Sequence, residues 1–75
     1  MSGMRYFFHL AGELEAHDVL GQDCANDKEA RDHAKFIAHR IGTEKPGLAR
    51  EGNFIVVKNE TGKEVFRAQL ASTLV

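Results

Sequence analysis

Residues 26–41, which read NDKEARDHAKFIAHRI, are the stretch that predicts how this chain of 75 residues folds. Apolar side chains recur along it at the spacing that places them on one face of an amphipathic helix. These residues are Ala30, Ala34, Ile37, Ala38 and Ile41. Most of them are alanines, so a sheet can approach this face closely. The sequence on both sides has the pattern of strands, and we therefore expect one helix that packs on a sheet.

The two ends of the helix carry their own signals. Asn26 is suited to cap the first turn, and Glu29 stands where a capping box places its carboxylate. Gly42 follows the last apolar residue, and Arg40 places a positive charge in the last turn. We therefore expect the helix to span residues 26–41 and to stop at Gly42.

Before the helix, residues 5–10 are rich in aromatic side chains and predict a strand. Gly12 and Glu13 predict a turn, residues 14–18 a returning strand, and residues 18–25 a connector. If Leu10 pairs with Leu14, the alternation of side chains defines two faces. The core face is then expected to carry Tyr6, Phe8, Leu10, Leu14 and Ala16. The opposite face is expected to carry Arg5, Phe7, His9, Glu15 and His17.

After the helix, residues 42–52 predict a loop. Lys45, Pro46 and Gly47 match a turn with proline at its first central position and glycine at its second. Leu48 is expected to anchor this loop on the core.

The last part of the chain predicts a hairpin formed by residues 53–59 and 64–70. Residues 59–62, with Gly62 at the end, match a type I turn followed by a left-handed glycine. This turn places Lys58 opposite Glu64, a favourable cross-strand pair. The inner face is expected to carry Phe54, Val56, Phe66, Ala68 and Leu70. The outer face is expected to carry Ile55, Val57 and Val65.

These elements predict an α+β domain in which two β-hairpins flank one helix along the chain (ββαββ). We expect the helix to pack on one face of an antiparallel sheet. This single domain is expected to span residues 4–75, after a disordered extension at residues 1–3. A chain this short buries only about 60% of its unfolded surface, so its core is thin. The order of the hairpins in the sheet does not follow from the sequence.

The composition is that of an ordinary globular domain, with 43% hydrophobic residues, 28% charged residues and a net charge of −1. This balance gives no general attraction to nucleic acid or to an anionic membrane. No apolar run approaches the roughly 20 residues of a membrane span. The single cysteine, Cys24, has no partner for an internal disulfide and fits a reducing compartment. We expect a cytoplasmic protein without a cofactor.

One helix covers one sheet face, so the outer face of the predicted sheet is open to water. The apolar residues expected there are Phe7, Ile55, Val57 and Val65. A contiguous apolar patch is typical of a partner surface, and a second copy of the same sheet is the simplest cover. We therefore expect a non-catalytic, homodimeric protein-interaction module, with Phe36 on the polar side of the helix as a further contact. Strand propensity alone is the alternative explanation of the β-branched residues.

Four histidines raise the question of a metal site. His33 and His39 are six residues apart, about 240° around a helix, and do not share a face. His9, Glu15 and His17 are the weak candidates, because the predicted hairpin places all three on one sheet face. Histidines on a polar surface are the simpler explanation, and we expect no metal.

The sequence also lacks a motif for catalysis. Cys24 stands beside Asp23, and a neighbouring carboxylate raises the pKa of a thiol. We therefore expect a buried or idle thiol and no enzymatic activity.

A regulatory module that binds nucleic acid is the alternative function. Its candidate residues are Arg31, Lys35, Arg40, Lys45 and Arg50. Acidic residues are interleaved with these cations along the chain, so the net field is small and nucleic acid is not the partner we expect.

Several motifs occur together in a fixed order along the chain. They are Met4-Arg5-Tyr6-Phe7-Phe8-His9-Leu10, Gly12, Asp18, Gly21, Glu29-Ala30 and Val57-Lys58-Asn59-Glu60-Thr61-Gly62. In this the chain resembles, over residues 4–70, a family of short bacterial proteins classed as a domain of unknown function. The resemblance implies a compact α+β domain of bacterial origin, and it implies no activity and no site residue. The chain departs from the family pattern at residues 43–52, where the resemblance implies a longer helix.

Overall fold

The computed structural model describes residues 3–50 and 52–70. It confirms the predicted α+β class, because an antiparallel sheet of four strands packs against a helix. The elements are β1 (Met4–Ala11), β2 (Gln22–Cys24), α1 (Asp27–Glu44), α2 (Pro46–Arg50), β3 (Phe54–Lys58) and β4 (Glu64–Gln69). The strand order across the sheet is β2-β1-β3-β4. The extension predicted at residues 1–3 falls mainly on residues 1 and 2, which lie outside the described residues.

The start of α1 follows the predicted capping pattern. Asn26 has an extended backbone, and its side-chain oxygen accepts a hydrogen bond from the backbone N–H of Glu29 at 2.9 Å. The carboxylate of Glu29 in turn accepts from the backbone N–H of Ala25. The N–H of Glu29 is one of the first-turn donors that have no partner inside the helix, and the side chain of Asn26 satisfies it. The carboxylate of Glu29 bonds the residue before the cap, whereas a capping box places this bond on the N–H of the cap residue itself.

The predicted end of α1 is wrong. The helix continues through Gly42, which is buried, and ends at Glu44. The residue that stops it is Pro46, because a proline disfavours helical geometry in the residue before it, here Lys45 with φ −135° and ψ 73°. Pro46 then opens α2, a position that proline favours, so the predicted loop contains a short helix. Leu48 packs against the core, as expected.

The core lies between α1 and the sheet. It is formed by Tyr6, Cys24, Ala30, Ala34, Ala38, Ile55, Val57 and Leu70. The helix contributes mainly small side chains and the sheet contributes the large ones, so the two layers approach closely. Each large apolar side chain enclosed in this way stabilises the fold by about 1.5–3 kcal/mol.

The predicted faces of β3 are reversed in the structure. Ile55 and Val57 were expected on the outer face, yet only 2% and 0% of their surfaces are exposed and both lie in the core under α1. Lys58 does lie opposite Glu64, but the register shifts beside it and Val57 pairs with Phe66. Such a bulge inserts one residue, and a shift of one residue exchanges the two faces of a strand. Phe54 and Val56 therefore lie on the face away from α1.

The strand predicted at residues 14–18 is also wrong. Ala16 forms a single bridge with Leu10, through two backbone hydrogen bonds of 2.9 and 3.0 Å. Leu14 is 49% exposed and Ala16 is exposed as well, so neither belongs to the core. On this side β1 pairs instead with β2, which lies inside the segment predicted to be a connector, and on its other side β1 pairs with β3.

Asn53 joins three segments at one end of the sheet. Its side chain, 1% exposed, accepts from the N–H of Leu14 at 2.9 Å and donates to the carbonyl of Leu48 at 2.9 Å. Its own carbonyl accepts from the N–H of Leu70. Gly12 lies against it with φ +122°, and a Cβ there would come within 2.8 Å of the Asn53 side-chain oxygen. Asn53 therefore holds the β1 turn, α2 and the end of β4 together.

We expect Asn53→Ala to lower the free energy of unfolding by about 1–3 kcal/mol, because it removes an enclosed side chain and two hydrogen bonds to part-buried backbone groups. Urea unfolding followed by circular dichroism measures this change. Gln69→Ala, an exposed substitution on β4, is the control and is expected to cost less than about 0.5 kcal/mol. Equal stability of the two variants would contradict this role of Asn53.

Candidate functional site on the open sheet face

The sheet face that α1 does not cover is called the open face here. Cross-strand pairing assigns to it Arg5, Phe7 and His9 of β1, Phe54, Val56 and Lys58 of β3, and Arg67 of β4. The guanidinium of Arg67 lies 4.6 Å from the centre of the Phe54 ring, a cation–π contact. The rings of Phe7 and His9 are stacked at 6.4 Å. The open face is therefore a band of aromatic and apolar groups bordered by cations.

The segment between Ala16 and β2 lies against this face. Arg5 donates from its guanidinium to the carbonyl of Leu20 at 2.6 Å. Gly21 has φ +74°, and a Cβ at this position would lie 2.7 Å from Cγ of Arg5 and 3.0 Å from a ring carbon of Phe7. A glycine is required for so close an approach in this backbone conformation. Val19 and Leu20 are left 80% and 77% exposed beside the face.

Asp18 holds this segment in place. One carboxylate oxygen accepts from the backbone N–H of Phe8 at 3.1 Å, and the other accepts from Leu20 at 3.1 Å and Gly21 at 3.0 Å. The carboxylate thus supplies a hydrogen bond to β1 where no neighbouring strand is present. Burial alone would raise the pKa of Asp18, but the three backbone N–H groups outweigh it and lower the pKa below its ordinary value.

His9 is held by the same segment. Its Nδ1 accepts from the backbone N–H of Asp18 at 3.0 Å, so the neutral ring carries its proton on Nε2. The ring of His17 lies 5.3 Å away, edge to face. Burial lowers the pKa of His9, and the nearby His17 and Lys58 lower it further, while the charge of Asp18 opposes this change. His9 is therefore kept neutral and in one tautomer.

The structure brings the three weak metal candidates together but leaves one of them unsuited to a metal. His9, Glu15 and His17 line a common hollow. The Nδ1 atom of His9 is used by Asp18, and its Nε2 carries the proton, so neither nitrogen offers a lone pair to a cation in this arrangement. Within residues 3–50 and 52–70, histidine, cysteine, aspartate and glutamate form no group of three that could hold a metal ion.

The five interface candidates are dispersed in the structure. Phe7 is half-buried on the open face, and Phe36 is 58% exposed on α1, in the other layer. Ile55 and Val57 belong to the core, which corrects their assignment to an interface, since an enclosed side chain cannot contact a partner. Val65, the extra residue of the bulge, is half-buried and packs against the core.

The nucleic-acid candidates lie on the helical layer. Arg31, Lys35, Arg40 and Lys45 are exposed, and Arg40 is paired with Glu44 at 3.2 Å. The side chain of Arg50 lies outside the described residues. Nucleic-acid binding by these residues stays a prediction.

Two further titratable groups are enclosed between α1 and the sheet. The hydroxyl of Tyr6 donates to Asp27 at 2.5 Å, and this bond together with burial raises the pKa of Tyr6 to about 12. Burial and the charges of Glu29 and Asp23 raise the pKa of the Cys24 thiol, which is buried, as expected. Both groups stay protonated near neutral pH.

The sequence predicted Arg5, Phe7 and His9 together on one face of β1, but it did not predict the segment that lies against this face. Asp18 was predicted to end a strand and Val19, Leu20 and Gly21 to belong to a connector, and only the family resemblance singled out Asp18 and Gly21. A signal was present, because an aspartate three residues before a glycine is typical of a turn closed by a side-chain carboxylate. Neither helix of the described chain combines the length and the apolar character needed to cross a bilayer.

The fold and the open face define a small α+β domain of two layers. The chain belongs to the family described as Domain of unknown function (DUF6894), which matches residues 5–71. This match confirms the family resemblance seen in the sequence. Comparisons with curated proteins and with solved structures found no match.

The hydrogen bond to His9 predicts an acid-sensitive fold. Because the pKa of folded His9 lies below its ordinary value of 6.5, the unfolded chain binds a proton at a pH where the folded chain does not. The free energy of unfolding is thus retained above pH 6.5 and falls as the pH drops toward the folded pKa. The pKa of Asp18 is also lowered, so the free energy of unfolding falls further as the pH drops below 3.8.

We expect His9→Asn to remove the fall in the free energy of unfolding that begins at pH 6.5. Asparagine can place an acceptor oxygen near the Nδ1 position, and it does not titrate. Urea unfolding at a series of pH values measures the effect. His39→Asn, an exposed change on α1, is the control and should keep the pH dependence of the native sequence. If His9→Asn shows the same pH dependence as the native sequence, His9 is not the group responsible.

Proposed function

We propose that this chain is a non-catalytic interaction module that pairs with a second copy of itself through the open face. The observation that carries the proposal is the exposure of two large apolar side chains, Val19 and Leu20, at 80% and 77%, directly beside that face. Together with the half-buried Phe7 and Phe54 on the open face they supply the apolar band proposed for contact, whereas Val56 is buried. Such a band on a small domain is typical of a contact surface.

The charges on the open face also support pairing with an identical surface. Arg5 lies 3.6 Å from Asp23, and Arg67 lies 3.0 Å from Glu64, so these two cations of the open face each have an anion within the chain. In a two-fold dimer the same patch meets itself, and a patch of one sign would repel its copy. The two ion pairs reduce this repulsion, and Lys58 is the cation of the face that joins none of the ion pairs of the described chain.

The sheet edges are less suited to pairing than the face. β4 is an edge strand, and it contains the bulge at Val65 together with charged residues Glu64 and Arg67. Bulges and charges are the features by which proteins prevent strands from adding to an edge. β2, the other edge, has only three residues.

The proposed absence of catalysis has a chemical basis in the enclosed groups. Tyr6, with a pKa of about 12, does not exchange a proton near neutral pH. A thiol is a nucleophile only when it is deprotonated, and the raised pKa of Cys24 opposes that state. Neither group is therefore prepared for acid–base or nucleophilic chemistry.

Light scattering over a range of concentrations tests the pairing. We expect the native sequence to approach a mass twice that of the 8.3 kDa chain, and we expect Leu20→Ser to remain a monomer. Leu20 is so exposed that this substitution should cost less than about 0.5 kcal/mol of stability.

Phe36→Ser is the matched control, since Phe36 is another exposed apolar residue but lies on α1. It is expected to leave the dimer intact. A native chain that stays monomeric at every concentration would overturn the proposed pairing. A dimer that Phe36→Ser dissociates and Leu20→Ser does not would place the contact on the helical layer and overturn the assignment to the open face.

A further inference from the structure

A small hollow opens on the sheet beside the loop that follows β1. Its volume is about 130 Å³. It is lined by His9, Leu10, Ala11, Glu15, His17, Val56 and Lys58. The apolar residues among these belong to β1 and β3, while the polar ones carry groups of both charge signs. All of them come from one chain, so the hollow is complete without a partner.

The volume limits what the hollow can hold. Pockets for drug-sized ligands measure about 300–1,000 Å³. The hollow, at about 130 Å³, is smaller than these pockets. A ligand that fits it therefore has only a few non-hydrogen atoms.

The polar groups of the hollow are of complementary kinds. The hydrogen bond from the N–H of Asp18 to Nδ1 of His9 fixes the ring proton on Nε2, so His9 offers a donor. Lys58 supplies a positive charge and Glu15 a negative one on the same lining. The ion pairs of the described chain join other residues, so Glu15 and Lys58 do not neutralise each other directly.

We propose that this hollow binds the head group of a small α-amino acid, with glycine as the minimal ligand. The carboxylate of the ligand is bound by Lys58 and the Nε2–H of His9, and its ammonium group is bound by Glu15. Charge-assisted hydrogen bonds of this kind are the strong ones. The apolar part of the lining, which includes the buried Val56, leaves room for at most a short side chain.

A simple anion or a simple cation fits this lining less well. An anion would meet the carboxylate of Glu15, and a cation would meet the ammonium group of Lys58. Only a ligand that carries both charges satisfies both residues at once. This inference goes beyond the proposed pairing, because the ligand is held by one chain alone. His9, Val56 and Lys58 belong to the open face, so a second copy paired there covers the hollow, and glycine and pairing are expected to compete.

Titration with glycine, followed by NMR of the backbone amides, tests the proposal. We expect saturable shifts at His9, Glu15, His17 and Val56 with a Kd in the millimolar range, and much weaker binding of acetate and of methylamine. Glu15→Gln and Lys58→Gln are each expected to weaken glycine binding about tenfold.

Glu13→Gln and Lys63→Gln are the matched controls, because both residues are exposed and neither lines the hollow. They should leave glycine binding unchanged. Shifts that do not saturate, or that lie elsewhere in the chain, would overturn the proposal, and so would acetate binding as tight as that of glycine. Repeating the titration with Leu20→Ser separates the two proposals, since this variant is expected to stay monomeric and to bind glycine even if pairing of the native chain covers the hollow.

Discussion

The packing of the alanine face of α1 on the sheet is the contact on which the rest of the structure depends. Ala30, Ala34 and Ala38 are almost completely enclosed, and they allow the large side chains of β1 and β3 to fill the space beneath the helix. The described chain has only one long helix, so it covers one face of the sheet. The open face is therefore a direct consequence of how the core is built.

Polar contacts hold the parts of the chain that lie outside the thin core. Asp18 and His9 hold the segment between β1 and β2, and Asn53 holds the opposite end of the sheet. The contacts of Asp18 and His9 depend on the protonation state of these two side chains, whereas those of the Asn53 amide and apolar contacts do not. The segment held by Asp18 and His9 is also the one that exposes Val19 and Leu20. The stability of this region and the shape of the proposed contact surface therefore depend on the same few hydrogen bonds.

The predictions that were confirmed rest on residues close together in sequence. The cap at Asn26, the alanine face of α1 and the pairing of Lys58 with Glu64 each follow from spacings of a few residues. The predictions that were wrong needed information from elsewhere in the fold. A bulge at Val65 reversed the faces of β3, and no local pattern distinguishes a bulged strand from a regular one. Regular alternation along β1 placed Phe7 correctly on the open face. The bulge opposite β3 made the placement of Ile55 and Val57 wrong.

The sequence by itself determined the α+β class, the start of the helix and the face it buries, because capping groups and apolar spacing act within one or two turns. It also determined the hairpin turn before β4. Only the tertiary structure decided that Gly42 stays inside α1, that β2 rather than residues 14–18 pairs with β1, and that Ile55 and Val57 face the core. Each of these outcomes depends on hydrogen bonds and packing between residues that are far apart in sequence. A local sequence pattern carries no information about these contacts.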